Sequence, residues 1–150
     1  LKYVRCASSI LEKEHGIGSE VWSVTSYGEL RRKGLESERL TRLDPGKSVK
    51  PYVSECFGDN LPTVATSDYI AAVPEMIQRW VGGRYVVLGT DGFGRSDSRE
   101  ALRSFFEIDT SSIVLAALSA LEQDGKVPDG TVQKSAKEMG LSLERIDKTE

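Results

Sequence analysis

Three short β-rich runs, at residues 21–25, 63–66 and 84–88, are each followed by a polar turn and then a helix-start signal. No other property constrains the fold as tightly. Parallel strands cannot be joined by a hairpin and need a crossover, usually a helix, so this alternation predicts a parallel sheet with helices on its faces. The expected fold class is α/β, with three parallel strands visible and helices predominating after the third. Three strands are few for a sheet covered on both faces, and the chain opens inside a helix with no strand before it.

The helices are marked by their ends. Val4, Ala7, Ile10 and Leu11 share one face of a helix over residues 2–14, which Gly16 stops. His15, the one histidine, sits where a cation interacts favourably with the helix dipole. Ser26, with Glu29 three residues on, forms a capping box for a helix ending by Asp44-Pro45-Gly46, and Pro51 opens a short helix through Phe57. Ser67-Asp68 predicts a helix to about Trp80, kinked or restarted at Pro74. Asp97, with Glu100 behind it, predicts a helix whose buried face is Ala101, Leu102, Phe105 and Phe106. A more apolar helix follows from about Ser111 to Gln123, and a last amphipathic one covers 131–139 before Gly140. Residues 1–150 read as one domain, with 141–150 as a polar tail.

Composition narrows the partners. With 20 Lys and Arg against 23 Asp and Glu, the net charge of -3 argues against nucleic acid, since phosphate binding needs a basic surface. The apolar run 113–118 is far shorter than the about 20 residues of a membrane helix. No basic-then-apolar leader opens the chain. Cys6 and Cys56 lie in no CxxC spacing and read as buried free thiols in a reducing compartment.

The connection after the third run, Leu88-Gly89-Thr90-Asp91-Gly92-Phe93-Gly94-Arg95-Ser96-Asp97, holds the candidate site. Connections beyond the ends of parallel strands are where α/β proteins build ligand sites and interfaces. As an anion cradle, glycine N–H groups would hold a phosphate with Arg95 or Arg99 closing over it. However, the order Gly89-x-x-Gly92-x-Gly94 reverses the dinucleotide-binding fingerprint, which counts against a nucleotide-binding enzyme, and Asp91 and Asp97 repel an anion. As a contact loop, the glycines permit positive φ, Phe93 anchors the turn, and Arg95, Ser96, Asp97 and Arg99 make polar contacts across a domain or subunit boundary. The contact loop is the preferred reading, and a regulatory small-molecule, anion-binding module is the alternative. Ser26-Tyr27 and Asp68-Tyr69 follow the other two runs, so all three connections are expected along one sheet edge.

The strings VWSVTSYGELRR, PYV, VATSDY and RYVVLGTDGFGRSDSREALRSFFE, in that order, resemble the C-terminal, transketolase-type domain of the homodimeric pyruvate dehydrogenase E1 family. The resemblance implies a three-layer α/β/α domain around a mixed five-stranded sheet. The first strands of that domain would be absent from this chain, one of them lying between the runs at 21–25 and 63–66. It implies a cytoplasmic, bacterial parent that uses thiamine diphosphate and Mg2+ to decarboxylate pyruvate and acetylate the lipoyl group of the partner acyltransferase, E2. In that family the diphosphate and metal are held by Gly-Asp-Gly followed at a distance by Asn, whereas Asp91-Gly92, Asp124-Gly125 and Asp129-Gly130 all lack the leading glycine. The family also uses several histidines near the cofactor. The resemblance thus places catalytic, cofactor and metal residues outside these 150 and leaves the chain a structural role in the E1 dimer.

Overall fold

The computed structural model describes residues 1–58 and 60–141, so the expected polar tail lies, beyond Leu141, outside the described residues. The first helix, α1 (Lys2–His15), closes on Gly16, whose φ of 66° is left-handed and whose N–H returns to the Glu12 carbonyl. Helix α2 (Tyr27–Leu43) starts on Ser26, whose Oγ accepts the Glu29 N–H at 3.1 Å. The Glu29 carboxylate does not reach back to complete the box and pairs with Arg32 instead. Then come α3 (Tyr52–Cys56), β1 (Thr63–Thr66), α4 (Ala72–Glu75), a 3-10 turn (Gln78–Trp80) and β2 (Tyr85–Leu88). Three helices follow, α5 (Arg99–Phe105), α6 (Thr110–Gln123) and α7 (Thr131–Glu138), the last two stopped near Gly125 and Gly140 at φ 65° and 67°.

The sheet has two strands among the described residues. β1 and β2 are parallel, in register from Thr63 opposite Tyr85 to Thr66 opposite Leu88. Residues 21–25, expected as the first of three strands, join no sheet among the described residues, with Val21 38% and Trp22 48% exposed. β-propensity reports fitness for a pleated surface, and a strand exists only where a neighbour takes its N–H and C=O groups. The architecture is therefore helix-rich around a small parallel sheet.

Four local expectations also change. Ser67 Oγ takes the N–H of Tyr69 in a local turn, and helix begins only at Ala72, because Pro74 has no N–H and fits only a first helical turn. Asp97 bonds the Ser98 N–H, while Ser98 Oγ takes the Ala101 N–H and is the cap of α5. Of the expected apolar face of α5, Phe106 is buried, Leu102 and Phe105 are half-buried and Ala101 is exposed. Cys6 is exposed, because the buried face of α1 is carried by Ala7 and Leu11, and Cys56 is half-buried at the end of α3, whose buried residue is Val53.

Two apolar clusters hold the fold. In the first, Ala7 and Leu11 of α1 pack on Ile113, Val114 and Leu118 of α6, with Leu88 of β2 against them. Burying each of the larger side chains contributes about 1.5–3 kcal/mol. Residues 99–123 have the length and composition of a membrane-crossing helix, but Glu107, at φ 55°, divides them, and α6 turns its apolar side chains into this cluster. In the second cluster, Val53, Ile77 and Trp80 pack with Tyr27, Leu30 and Leu35 of α2 and Tyr85 of β2. Gly34 lets α2 lie directly on the indole, since a Cβ there would stand 2.5 Å from the Trp80 ring.

Candidate contact edge

Beyond the last residues of β1 and β2 the two following connections are tied together. Thr90 N–H donates to the Tyr69 carbonyl at 3.0 Å, and Thr90 Oγ1 to the Asp68 carbonyl at 2.9 Å. Asp91 Oδ1 accepts the Ala71 N–H at 3.0 Å, capping the segment that leads into α4. Gly89 permits this approach. A Cβ on it would lie 2.4 Å from the Ala71 nitrogen.

Past this base the loop is open to solvent. Residues 91–101 are all exposed, and Phe93 is 74% exposed, so its ring does not anchor the turn as expected. Gly92, at φ 114°, is the loop glycine that needs a conformation disfavoured for other residues, whereas Gly94 sits in open space without one. The far side of the loop is held by Arg95, whose guanidinium lies 4.2 Å above the Phe105 ring.

Helix α5 supplies a residue that the sequence reading missed. Arg103 Nη2 donates to Asp68 Oδ1 at 2.6 Å, and its guanidinium lies 4.5 Å over the Tyr3 ring of α1. The available signal was a lone arginine between Leu102 and Phe105-Phe106 on a face otherwise suited to the core. Arg99, in the first turn of the same helix, lines an open groove of about 430 Å³ with Asp68, Thr90, Asp97, Leu102 and Phe106.

Two of the three expected connections thus meet, residues 68–69 with 90–99. Ser26 and Tyr27 are elsewhere. Tyr27 packs in the Trp80 cluster and its hydroxyl faces that of Tyr85, the first residue of β2, which itself donates to the Pro74 carbonyl at 3.0 Å. Burial holds both phenols above their ordinary pKa, Tyr85 most strongly, with the facing Tyr27 adding to the shift. Because 21–25 joins no sheet, nothing carries the turn after it to the edge where β1 and β2 end.

The family model for the transketolase-like TK C-terminal domain matches residues 1–109. The chain belongs to the transketolase-like C-terminal domain family. It is 47% identical over 148 residues to the pyruvate dehydrogenase E1 component of Pseudomonas aeruginosa, covering 97% of this chain and 17% of that protein. To the protein of the same name from Escherichia coli K12 it is 41% identical over 149 residues, 98% of this chain and again 17% of the relative. The Mycobacterium tuberculosis pyruvate dehydrogenase E1 component is 46% identical over 124 residues, 81% of this chain and 13% of that protein.

In this transketolase-like C-terminal domain the matched stretch runs from α1 through the contact edge and ends at Asp109, whose Oδ1 caps α6 by accepting the Ser112 N–H. The Asp-Gly pairs do not fit a diphosphate–metal group. Asp91 is committed to the Ala71 N–H, and Asp124 Oδ1 takes Arg84 Nε at 2.9 Å. Among the described residues no group of three or more acidic, His or Cys side chains comes together that could hold a metal ion.

Proposed function

We propose that this chain is the C-terminal structural and contact domain of a pyruvate dehydrogenase E1 component, and that the connections after β1 and β2 are its contact edge. One observation carries the reading. The base of the loop is fixed by Gly89, Thr90 and Asp91 on residues 68–71, while Phe93 is held out at 74% exposure. A large ring presented from an ordered base is what contact surfaces use as an anchor. Tyr69, at 70% exposure, stands on the neighbouring connection, whose backbone is tied to Thr90.

The parent enzyme, on this reading, is a cytoplasmic homodimer that decarboxylates pyruvate and acetylates the lipoyl group of E2. Thiamine diphosphate and Mg2+ supply the decarboxylation chemistry and are held by residues outside these 150. Asp91, Gly92, Phe93, Gly94, Arg95, Ser96, Asp97 and Arg99, with Asp68 and Tyr69, shape the surface that meets the rest of the enzyme.

The test is assembly of the full-length E1 subunit carrying Phe93→Asp, followed by analytical ultracentrifugation with circular dichroism as a folding control. A weakened dimer or a domain that becomes protease-sensitive, with secondary structure retained, is the expected result. Unchanged assembly and unchanged proteolysis would overturn the reading.

A further inference from the structure

We infer that the Asp91-Gly92 peptide bond is a modification site, where aspartate converts spontaneously to isoaspartate. Of the Asp-Gly pairs at 91–92, 124–125 and 129–130, it is the one whose glycine nitrogen the fold leaves free to react.

The reaction needs water and no other reagent. The Gly92 nitrogen attacks Cγ of the protonated Asp91 carboxyl. The N–Cγ bond forms, the Cγ–OH bond breaks, and the hydroxyl leaves with the amide proton as water. Water then opens the five-membered imide at either carbonyl. Cleavage of the new N–Cγ bond restores aspartate. Cleavage at the main-chain carbonyl leaves the chain running through Cγ, with the α-carboxylate free. Nothing is oxidised or reduced, and glycine favours the attack because no Cβ hinders its nitrogen.

The other two pairs have that nitrogen in use. Gly125 N–H donates to the Glu122 carbonyl at 3.0 Å, and Gly130 N–H to Glu122 Oε1 at 3.2 Å. Asp124 is also held by Arg84 at 2.9 Å. No acceptor takes the Gly92 N–H among the described residues, and Asp91 and Gly92 are both exposed at the start of the open stretch 91–101.

The Asp91 carboxyl is placed as the electrophile. Its Oδ1 accepts the Ala71 N–H at 3.0 Å, while Oδ2 has no partner among the described residues. Oδ2 is therefore the oxygen that departs. The Ala71 N–H stays on Oδ1, where negative charge develops as the nitrogen adds. Isomerisation lengthens the main chain by one methylene and draws the carboxylate off the Ala71 N–H. What this does to the surface rests on the reading of the edge as a contact surface: a released base no longer holds Phe93 in place.

The experiment ages the full-length E1 subunit at neutral pH in oxygen-18 water, native and, in parallel, unfolded in guanidinium chloride. Peptide mass spectrometry with electron-transfer fragmentation, and labelling by isoaspartyl methyltransferase, read isoaspartate at each pair. One heavy oxygen in the product marks passage through the imide. Unfolded, the three pairs should react at similar rates. In the native subunit 124 and 129 should slow by about tenfold, because a hydrogen bond must open first, while 91 stays within about threefold of its unfolded rate. A native rate at 91 no faster than at 124 and 129 overturns the inference. So does isoaspartate at 91 in the Phe93→Asp subunit alone, a result that leaves the contact edge standing because assembly then covers the bond. If 91 isomerises and the aged subunit assembles like the fresh one, the modification site stands and the contact edge falls.

Discussion

Arg103 donates to Asp68 at 2.6 Å while its guanidinium lies over the ring of Tyr3. One side chain thereby joins α5, the connection after β1, and the first turn of α1. The two partners differ in environment, the Arg103 side chain being 19% exposed and that of Asp68 71%. An ion pair with one half in water contributes little, so the stacking and the buried stem should dominate.

Arg103→Ala is accordingly expected to lower stability by about 2–3 kcal/mol, and Asp68→Asn by less than about 1 kcal/mol. Urea unfolding of both variants checks the order. A larger loss in Asp68→Asn would show that the ion pair, not the packing, holds the joint.

Gly34 sets helix propensity against packing. Alanine is favoured in a helix interior by about 1 kcal/mol, but its Cβ would stand 2.5 Å from the buried Trp80 ring. Overpacking costs about 1–3 kcal/mol, so Gly34→Ala should be net destabilising. Thermal unfolding together with Trp80 fluorescence reads both the loss and the displaced ring.

The three loop glycines should separate when each is replaced by alanine. Gly89→Ala forces the 68–71 segment away and should cost the most, above about 2 kcal/mol. Gly92→Ala meets the φ of 114° and should cost about 1–2 kcal/mol. Gly94→Ala faces open space and should stay within about 0.5 kcal/mol of the parent. Equal effects at all three would contradict the division between a tight base and an open tip.

The Tyr27–Tyr85 pair predicts a loss of stability at alkaline pH. Both folded phenols have raised pKa values, so the fold favours their neutral forms. Below pH about 10 they are neutral in both states and their contribution is complete; above it the unfolded chain ionises first and stability falls. Tyr85→Phe loses the bond to the Pro74 carbonyl, about 1 kcal/mol at neutral pH, yet its stability should fall less steeply above pH 10. Denaturation midpoints across pH 8–11 would show whether the two curves converge.

Calorimetric titration of the 150-residue chain with thiamine diphosphate and Mg2+ is expected to show no binding, and pyruvate no turnover. Asp91 and Asp124, the carboxylates with the nearest sequence context, are committed to Ala71 and Arg84. Saturable heat would place cofactor groups within this chain.

Much of the fold was legible in residues close together along the chain. The Ser26 cap, the Gly16, Gly125 and Gly140 stops, the Pro51 helix start and the long helices α1, α2 and α6 all follow from neighbours a few positions apart. The loop from Gly89 to Asp97 could be recognised as unusual, and residues 68–69 could be expected beside it. Its internal roles could not be read, because the tight fit at Gly89 is set by Ala71, a residue 18 positions away, and the exposure of Phe93 by how the loop stands off that base.

Residues 21–25 and 63–66 carry the same β-rich signal, yet only the second is a strand. Caps and left-handed stops are bonds within one turn of backbone, so the local sequence determines them. A strand, the destination of Arg103 and the position of Tyr27 depend on which distant groups come within hydrogen-bonding or packing distance. The tertiary structure alone decides these, because the partner of each lies tens of residues away.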